Sequence, residues 1–156
     1  MLSLNVTVQG DKVVIAGLQK IGSGIEKAKD RALVSVAKGI HRDAFDWLSG
    51  AGAKATGVQA GGYPVPVRTG HLRGHLDWLM PGASKTGPAG TFSAGRNEVV
   101  IYDSALYSRV IHEGLGSSAK FGPRRYLTDA LARFNQGERI MRIFEEEIQV
   151  EIAKGG

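Results

Sequence analysis

A long stretch of helical periodicity constrains this chain more than any other feature. From Ser23 to Leu48, apolar side chains recur three or four residues apart and charged side chains fall largely on other faces; the apolar positions are Leu33, Val36, Ile40, Ala44, Trp47 and Leu48. Ser23 and Glu26 form a capping-box pattern at its start. Gly50 can end the helix in the left-handed conformation. The sequence therefore predicts one helix roughly 37 Å long.

Alternating apolar and polar residues predict strands before and after this helix. Residues 2–8 alternate, and the segment VVIAGL follows a turn-forming QGDK, which together predict an N-terminal hairpin. After a turn at Thr69-Gly70, the run HLRGHLDWLM fits a strand better than a helix, because Gly74 would weaken a helix interior. TFSAGRNEVVIYDS predicts two strands with a turn at residues 95–97.

Two further helices are predicted in the last third of the chain. ALYSRVIHEG has the spacing of a short helix that ends at Gly114. A final stripe predicts a helix of about thirty residues with a possible kink at Gly137; the stripe is Leu127, Leu131, Phe134, Met141 and Ile148. Glutamates 145–147 and 151 lie near its C-terminus, where the helix dipole disfavours them. Solvation, or a basic group on a neighbouring subunit, would offset this.

These elements predict an α+β fold, in which an antiparallel sheet packs with a long N-terminal helix and a long C-terminal helix. Residues 1–156 are expected to form a single domain with an N-terminal hairpin. The chain has 22 glycines. They concentrate in residues 50–62, 82–95 and 114–122, which are predicted to be mobile loops.

Composition narrows the function classes. The chain has no cysteine, which excludes disulfides, thiolate metal sites and cysteine nucleophiles. No apolar run is long enough to cross a bilayer, and the start lacks a signal-peptide pattern, so a cytoplasmic protein without membrane partners is expected. The net charge of +5 and the pI near 9.6 permit an acidic partner such as nucleic acid.

The sequence predicts neither an enzyme nor a cofactor or metal site. His71 and His75 are four residues apart, but on the predicted strand they would lie roughly 13 Å apart and could not share an ion. GPAGTFSAG lacks the Gly-Lys-Ser/Thr ending of a phosphate loop. His112 and Glu113 could act as an acid–base pair, but no nucleophile motif accompanies them. The basic cluster Lys120, Arg124 and Arg125 offers phosphate contacts only if several copies act together.

Three motifs occur in order after the amphipathic helix: PVRTGHLRGHL, then VVIYDSALYSRVIHEG, then GPRRYLTDAL at the start of the last helix. In this order they resemble the head–tail joining and tail-completion proteins of tailed bacteriophages, which include minor tail protein Z and the virion morphogenesis proteins. The positions that match the family motifs are Thr69, Gly70, Leu72, Arg73, Tyr107, His112, Glu113, Pro123, Tyr126, Leu127 and Ala130.

The resemblance implies a structural virion protein, present in the host cytoplasm during assembly and then in the neck or tail of the particle. It implies a homo-oligomeric ring, usually six-fold, that joins connector or stopper to tail tube and lets genomic DNA pass. Lys120, Arg124 and Arg125 are the candidates for a surface that faces DNA or the adjoining ring. The alternative is a stand-alone basic nucleic-acid-binding module.

Overall fold

The computed structural model describes residues 2–7, 24–48, 70–116 and 122–155. In chain order, the elements are β1 (Leu2–Thr7), α1 (Gly24–Leu48), α2 (His71–His75), β2 (Leu76–Leu79), β3 (Ser84–Gly87), β4 (Gly90–Ser93), β5 (Glu98–Asp103), α3 (Ser108–Glu113), α4 (Tyr126–Phe134) and α5 (Arg139–Gly155). Several predictions fall outside the described residues: the second strand of the N-terminal hairpin, the Ser23 cap, the 50–62 loop, Thr69 and Lys120.

The fold is α+β, as predicted. Strands β1, β5 and β2 form an antiparallel sheet in that order, so β5 lies in the centre. The helix α1 confirms the prediction from periodicity, from residue 24 onward. The short helix α3 ends at Gly114, as predicted, and this glycine adopts the left-handed conformation. The central strand β5 is buried on both faces because different layers cover them.

Helices cover one face of the sheet. Val99 and Ile101 of β5 point to this face and share a core with α1, α4 and the start of α5. The core residues contributed by the helices include Leu33, Val36, Ile40, Tyr126, Leu127, Phe134 and Phe144. Since residues 33, 36 and 40 recur at helical spacing, the apolar stripe predicted for α1 is the one that the fold buries.

A β-hairpin covers the opposite face, and the prediction that residues 82–95 form a mobile loop was wrong. Strands β3 and β4 pair antiparallel, with Gly87 opposite Gly90. Phe92 is buried against Tyr102, with their ring centroids 4.2 Å apart, and joins a second apolar cluster with Leu79 and Val100. The buried aromatic side chain orders a segment whose glycines alone favour flexibility.

The segment after Gly70 begins as a helix, which corrects the strand predicted from residue 72. Gly70 has a φ of 69°, and its carbonyl accepts a hydrogen bond from the Gly74 N–H at 2.9 Å. Only the five residues of α2 are helical before the chain enters β2. Gly74 does not prevent this single turn because so short a helix does not depend on a long ladder of hydrogen bonds.

The last predicted helix is present with a break at the expected glycine. Gly137 has a φ of 64° inside a short 3₁₀ turn that separates α4 from α5. The glutamates at the C-terminal end of α5 have a partner within the chain: Arg31 of α1 lies 2.7 Å from both Glu147 and Glu151. A basic residue of this chain therefore offsets part of the unfavourable helix-dipole interaction. None of the helices described is long and apolar enough to cross a membrane.

Candidate functional site

The three sequence motifs meet at the C-terminal end of β5. Asp103, the last residue of this strand, lies opposite Leu2 of β1 and Leu76 of β2. Its carboxylate is buried, and it accepts hydrogen bonds from the Ala105 N–H at 2.9 Å and from the Tyr126 hydroxyl at 2.8 Å. The carboxylate therefore ties the end of the sheet to the start of α4, which carries the third motif.

Burial determines the ionisation of this carboxyl. Desolvation raises the pKa of Asp103 above its ordinary value of 3.8, and the two hydrogen-bond donors and the nearby His75 and His71 oppose the rise. The backbone oxygen of Asp103 also accepts a bond from the Ser108 hydroxyl at 3.2 Å. Ser108 is buried in this position, so its hydroxyl has a structural partner rather than an exposed reactive face.

The first motif reaches the second through stacked aromatic rings. His71 stacks on Tyr107, with ring centroids 5.7 Å apart. Leu72 packs against the main core. The Arg73 guanidinium lies over the Phe45 ring, 5.3 Å from its centroid. These contacts therefore hold the helical turn α2 against α1 and against the second motif.

The helical turn also changes the argument about a metal ion. Because residues 71–75 are helical rather than extended, the rings of His71 and His75 lie close together, with centroids 4.1 Å apart. The strand-based distance of roughly 13 Å was therefore wrong. In the ranges that the structure describes, no group of three or more histidine, aspartate or glutamate side chains could hold a metal ion.

The second motif packs directly on the third. The ring of His112 contacts that of Tyr126 edge-on at 5.4 Å, and the Arg124 N–H donates to the Ile111 carbonyl at 3.2 Å. A methyl group added to Gly114 would lie 2.7 Å from the backbone nitrogen of Pro123. Two backbone segments therefore approach each other as closely as only glycine permits.

The remaining motif residues divide between core and surface. Leu127 and Ala130 are buried in the main core, and Pro123 is exposed beside Gly114. Glu113 is exposed and accepts a hydrogen bond from the Arg109 side chain at 3.1 Å. Some motif residues thus fill the main core, and others hold neighbouring backbone segments close together.

The basic cluster does not form one exposed surface. Arg124 is buried, with 6% of its surface exposed, so the prediction that it faces DNA does not fit the structure. Arg125 is exposed at the start of α4. Lys120 lies outside the described residues. Within the part of the chain described here, Arg125 is the member of the cluster that a partner can reach.

His112 provides a prediction about pH. Burial lowers the pKa of His112 below its ordinary value of 6.5; Arg125 adds to this effect, and Glu113 and Asp129 oppose it. Its buried Nε2 has no hydrogen-bond partner in the described structure. The unfolded chain therefore takes up a proton below pH 6.5 that the folded chain resists, and the free energy of unfolding should fall as the pH drops through this range.

The His112→Phe variant should lose this part of the pH dependence while it keeps the edge contact with Tyr126. Chemical denaturation of both proteins between neutral pH and pH 5 measures the difference between the two curves. Parallel curves for the wild type and His112→Phe would show that His112 is protonated equally in both states.

Sequence analysis missed Asp103 and Arg31. An acidic residue that ends the apolar run VVIY and precedes Ser104 was the available signal for the first, since such a carboxylate can cap the turn that follows the strand. Arg31 carried no local signal because its partners, Glu147 and Glu151, lie more than 110 residues away.

Comparison of the chain with protein-family models, curated proteins and solved structures finds no match. A functional assignment therefore depends on the fold and on the motifs that meet at Asp103.

Proposed function

We propose that this protein is a non-enzymatic structural component of a tailed-phage virion that forms a ring at the head–tail junction. The observation that carries the proposal is the convergence of the three motifs at the end of β5. Residues 70–73, 107–113 and 123–130 are far apart in sequence, yet they contact one another directly or through Asp103. Because the three motifs pack together in the fold, their joint occurrence supports the family resemblance better than any one motif does.

The chemistry of the site also supports a structural role. Its buried polar groups hold backbone segments together: Asp103 binds Ala105 and Tyr126, and Ser108 binds the carbonyl of Asp103. A catalytic site needs a nucleophile, a base and an orienting group that a substrate can reach. The hydroxyl of Ser108 and the carboxylate of Asp103 are instead buried in the fold.

In this proposal, identical copies form a closed ring, usually six-fold in the family that the motifs resemble, between the connector or stopper and the tail tube. Genomic DNA passes through the lumen, and no cofactor, metal or membrane takes part. The protein is present in the host cytoplasm during assembly and in the neck or tail of the finished particle. Mild positive charge suits a channel that DNA must traverse without tight binding.

The alternative, a stand-alone nucleic-acid-binding module, makes a different prediction. Tight binding by a monomer needs many exposed cations. Here Arg124 is buried, and Arg109 pairs with Glu113. We therefore expect the free protein to bind double-stranded DNA only weakly, with little affinity left at physiological salt. Fluorescence anisotropy over a salt series measures this, and submicromolar binding with a steep salt slope would favour the alternative.

Particle composition tests the proposed function. Quantitative mass spectrometry should detect the chain in purified tailed particles at a fixed copy number, and should assign it to either the tails or the tail-less heads when the two are separated. A matched preparation from cells in which the gene is disrupted should contain heads and tails that fail to join. Finding the chain in neither fraction would refute the proposal.

A further inference from the structure

An exposed apolar corner surrounds α3. Leu106, just before this helix, has 75% of its surface exposed, and Leu115, just after it, has 46%. The Leu115 N–H donates to the Val110 carbonyl at 2.9 Å, so the chain folds back over the last turn. Val110 is partly exposed within the six-residue helix that Leu106 and Leu115 flank. Leu106, Val110 and Leu115 are therefore the apolar side chains that this corner offers to a partner.

One cation borders this surface. Arg125 is exposed, and it follows Arg124, whose N–H donates to the Ile111 carbonyl of α3 at 3.2 Å, so Arg125 lies beside this helix. Among the described residues, Arg125 forms no ion pair, whereas Arg109 of α3 is paired with Glu113. We call Leu106, Val110, Leu115 and Arg125 the α3 corner.

A second apolar surface runs along α5. Met141, Glu145, Ile148 and Ile152 are spaced at i, i+4, i+7 and i+11, so they lie on one side of this helix. Met141 and Glu145 are exposed, and both isoleucines are partly exposed. Ile148 and Ile152 do not pack on the main core, whereas Ile140 and Ile143 of the same helix do. We call these four residues the α5 stripe.

The stripe carries the opposite charge to the corner. Glu145 lies between Met141 and Ile148 along the stripe and forms no ion pair in the described part of the chain. The neighbouring Glu147 and Glu151 are occupied by Arg31. Each surface thus combines apolar side chains with one unpaired charge, and the two charges are complementary.

The two surfaces lie at opposite ends of α1. Glu151 pairs with Arg31 and lies against Gly24, which places the second half of α5 beside the first turns of α1. The α3 corner adjoins the other end, because Tyr107 stacks on His71 while Arg73 lies over Phe45. From Arg31 to Phe45, fourteen residues at 1.5 Å each give roughly 21 Å along the helix. The second half of the stripe and the corner are therefore well separated within one chain.

We infer that the α3 corner of one copy docks on the α5 stripe of the next, with Arg125 facing Glu145. This inference rests on the proposed ring, for which it specifies the subunit contact. Two different surfaces at opposite ends of the subunit make a head-to-tail contact, and such contacts produce a closed ring when the rotation closes. The apolar side chains supply the driving force, and the charges fix the register.

Engineered cysteines test the contact cleanly because the natural chain has none. A protein with Leu106→Cys, mixed with a protein with Ile148→Cys and oxidised, should give a disulfide-linked heterodimer. The doubly substituted chain should give a ladder of cross-linked oligomers that stops at the ring. Ser93→Cys, exposed on the β3–β4 hairpin, replaces Leu106→Cys in the control and should give no specific product.

Charge reversal provides the second readout. Arg125→Glu and Glu145→Arg should each weaken self-association by about tenfold, and the combination should restore it. Sedimentation velocity over a wide protein concentration range measures the association, and circular dichroism checks the fold of each variant. Rings that form without the 106–148 link or the charge rescue would overturn this contact and leave the proposed function standing.

A chain that stays monomeric at every concentration, with no 106–148 link, would also overturn the inference. Particle composition is measured separately, so the two proposals can fail independently. Absence of the chain from particles refutes the proposed function even if the cross-linked ladder forms.

Discussion

The Gly39→Ala variant should unfold far more easily than the wild type. Gly39 lies in the middle of α1, and a methyl group there would lie 2.0 Å from one ring carbon of Phe134 and 2.5 Å from another. Phe134 is buried in the main core, where close packing resists displacement of the ring. Overpacking of this kind should lower the free energy of unfolding by about 3 kcal/mol, although alanine itself favours a helix.

Thermal or chemical denaturation measures this effect, and the melting temperature should fall by roughly 6 to 12 °C. Gly74→Ala is the matched control, because a methyl group there has nothing within 4 Å. It should leave the stability unchanged or raise it by up to about 1 kcal/mol. Combining Gly39→Ala with Phe134→Leu should recover part of the loss. Equal melting temperatures for Gly39→Ala and the wild type would mean that α1 and α4 do not pack as described.

The Gly114→Ala variant should separate the second motif from the third. Gly114 has a φ of 67°, which alanine adopts only with strain of about 1 to 2 kcal/mol. The added methyl group would also lie 2.7 Å from the Pro123 nitrogen and 2.9 Å from the Gly122 carbonyl carbon. Because backbone has to move, we expect a total loss of about 3 kcal/mol.

Gly116→Ala separates the two contributions. Gly116 also has a positive φ, 55°, but a methyl group there has nothing within 4 Å. This variant should therefore lose only the strain, about 1 to 2 kcal/mol. Hydrogen exchange gives a local readout: in Gly114→Ala, the Arg124 amide should lose the protection that its bond to Ile111 provides. If both variants lose the same stability, the close approach of the two motifs is not important.

Periodicity in the sequence predicted the elements that bury one regularly spaced row of apolar side chains. α1 could be predicted because residues 33, 36, 40 and 44 lie on the face that the sheet and α4 bury. β4 was predicted as a strand, but β3 and its pairing with β4 were not, because most residues of the hairpin are exposed and one buried side chain, Phe92, holds it against Tyr102. A single long-range contact leaves no periodic pattern in a sequence.

Long-range contacts also limited what could be predicted about the candidate site. The motif residues were identified by their order, but nothing local indicated that Asp103 would join them, because its hydrogen bond to Tyr126 spans 23 residues. Arg124 was expected to be exposed because basic residues in glycine-rich segments usually are, whereas the fold buries it. Arg125, the next residue, keeps the exposed position.

A cryo-electron microscopy reconstruction of the neck of particles that carry this chain tests the central claim most directly. We expect an annulus of identical subunits around the DNA path, each with its long α1 flanked by the α3 corner at one end and the α5 stripe at the other. A neck that contains no copy of this fold, or copies that do not touch one another, would contradict it.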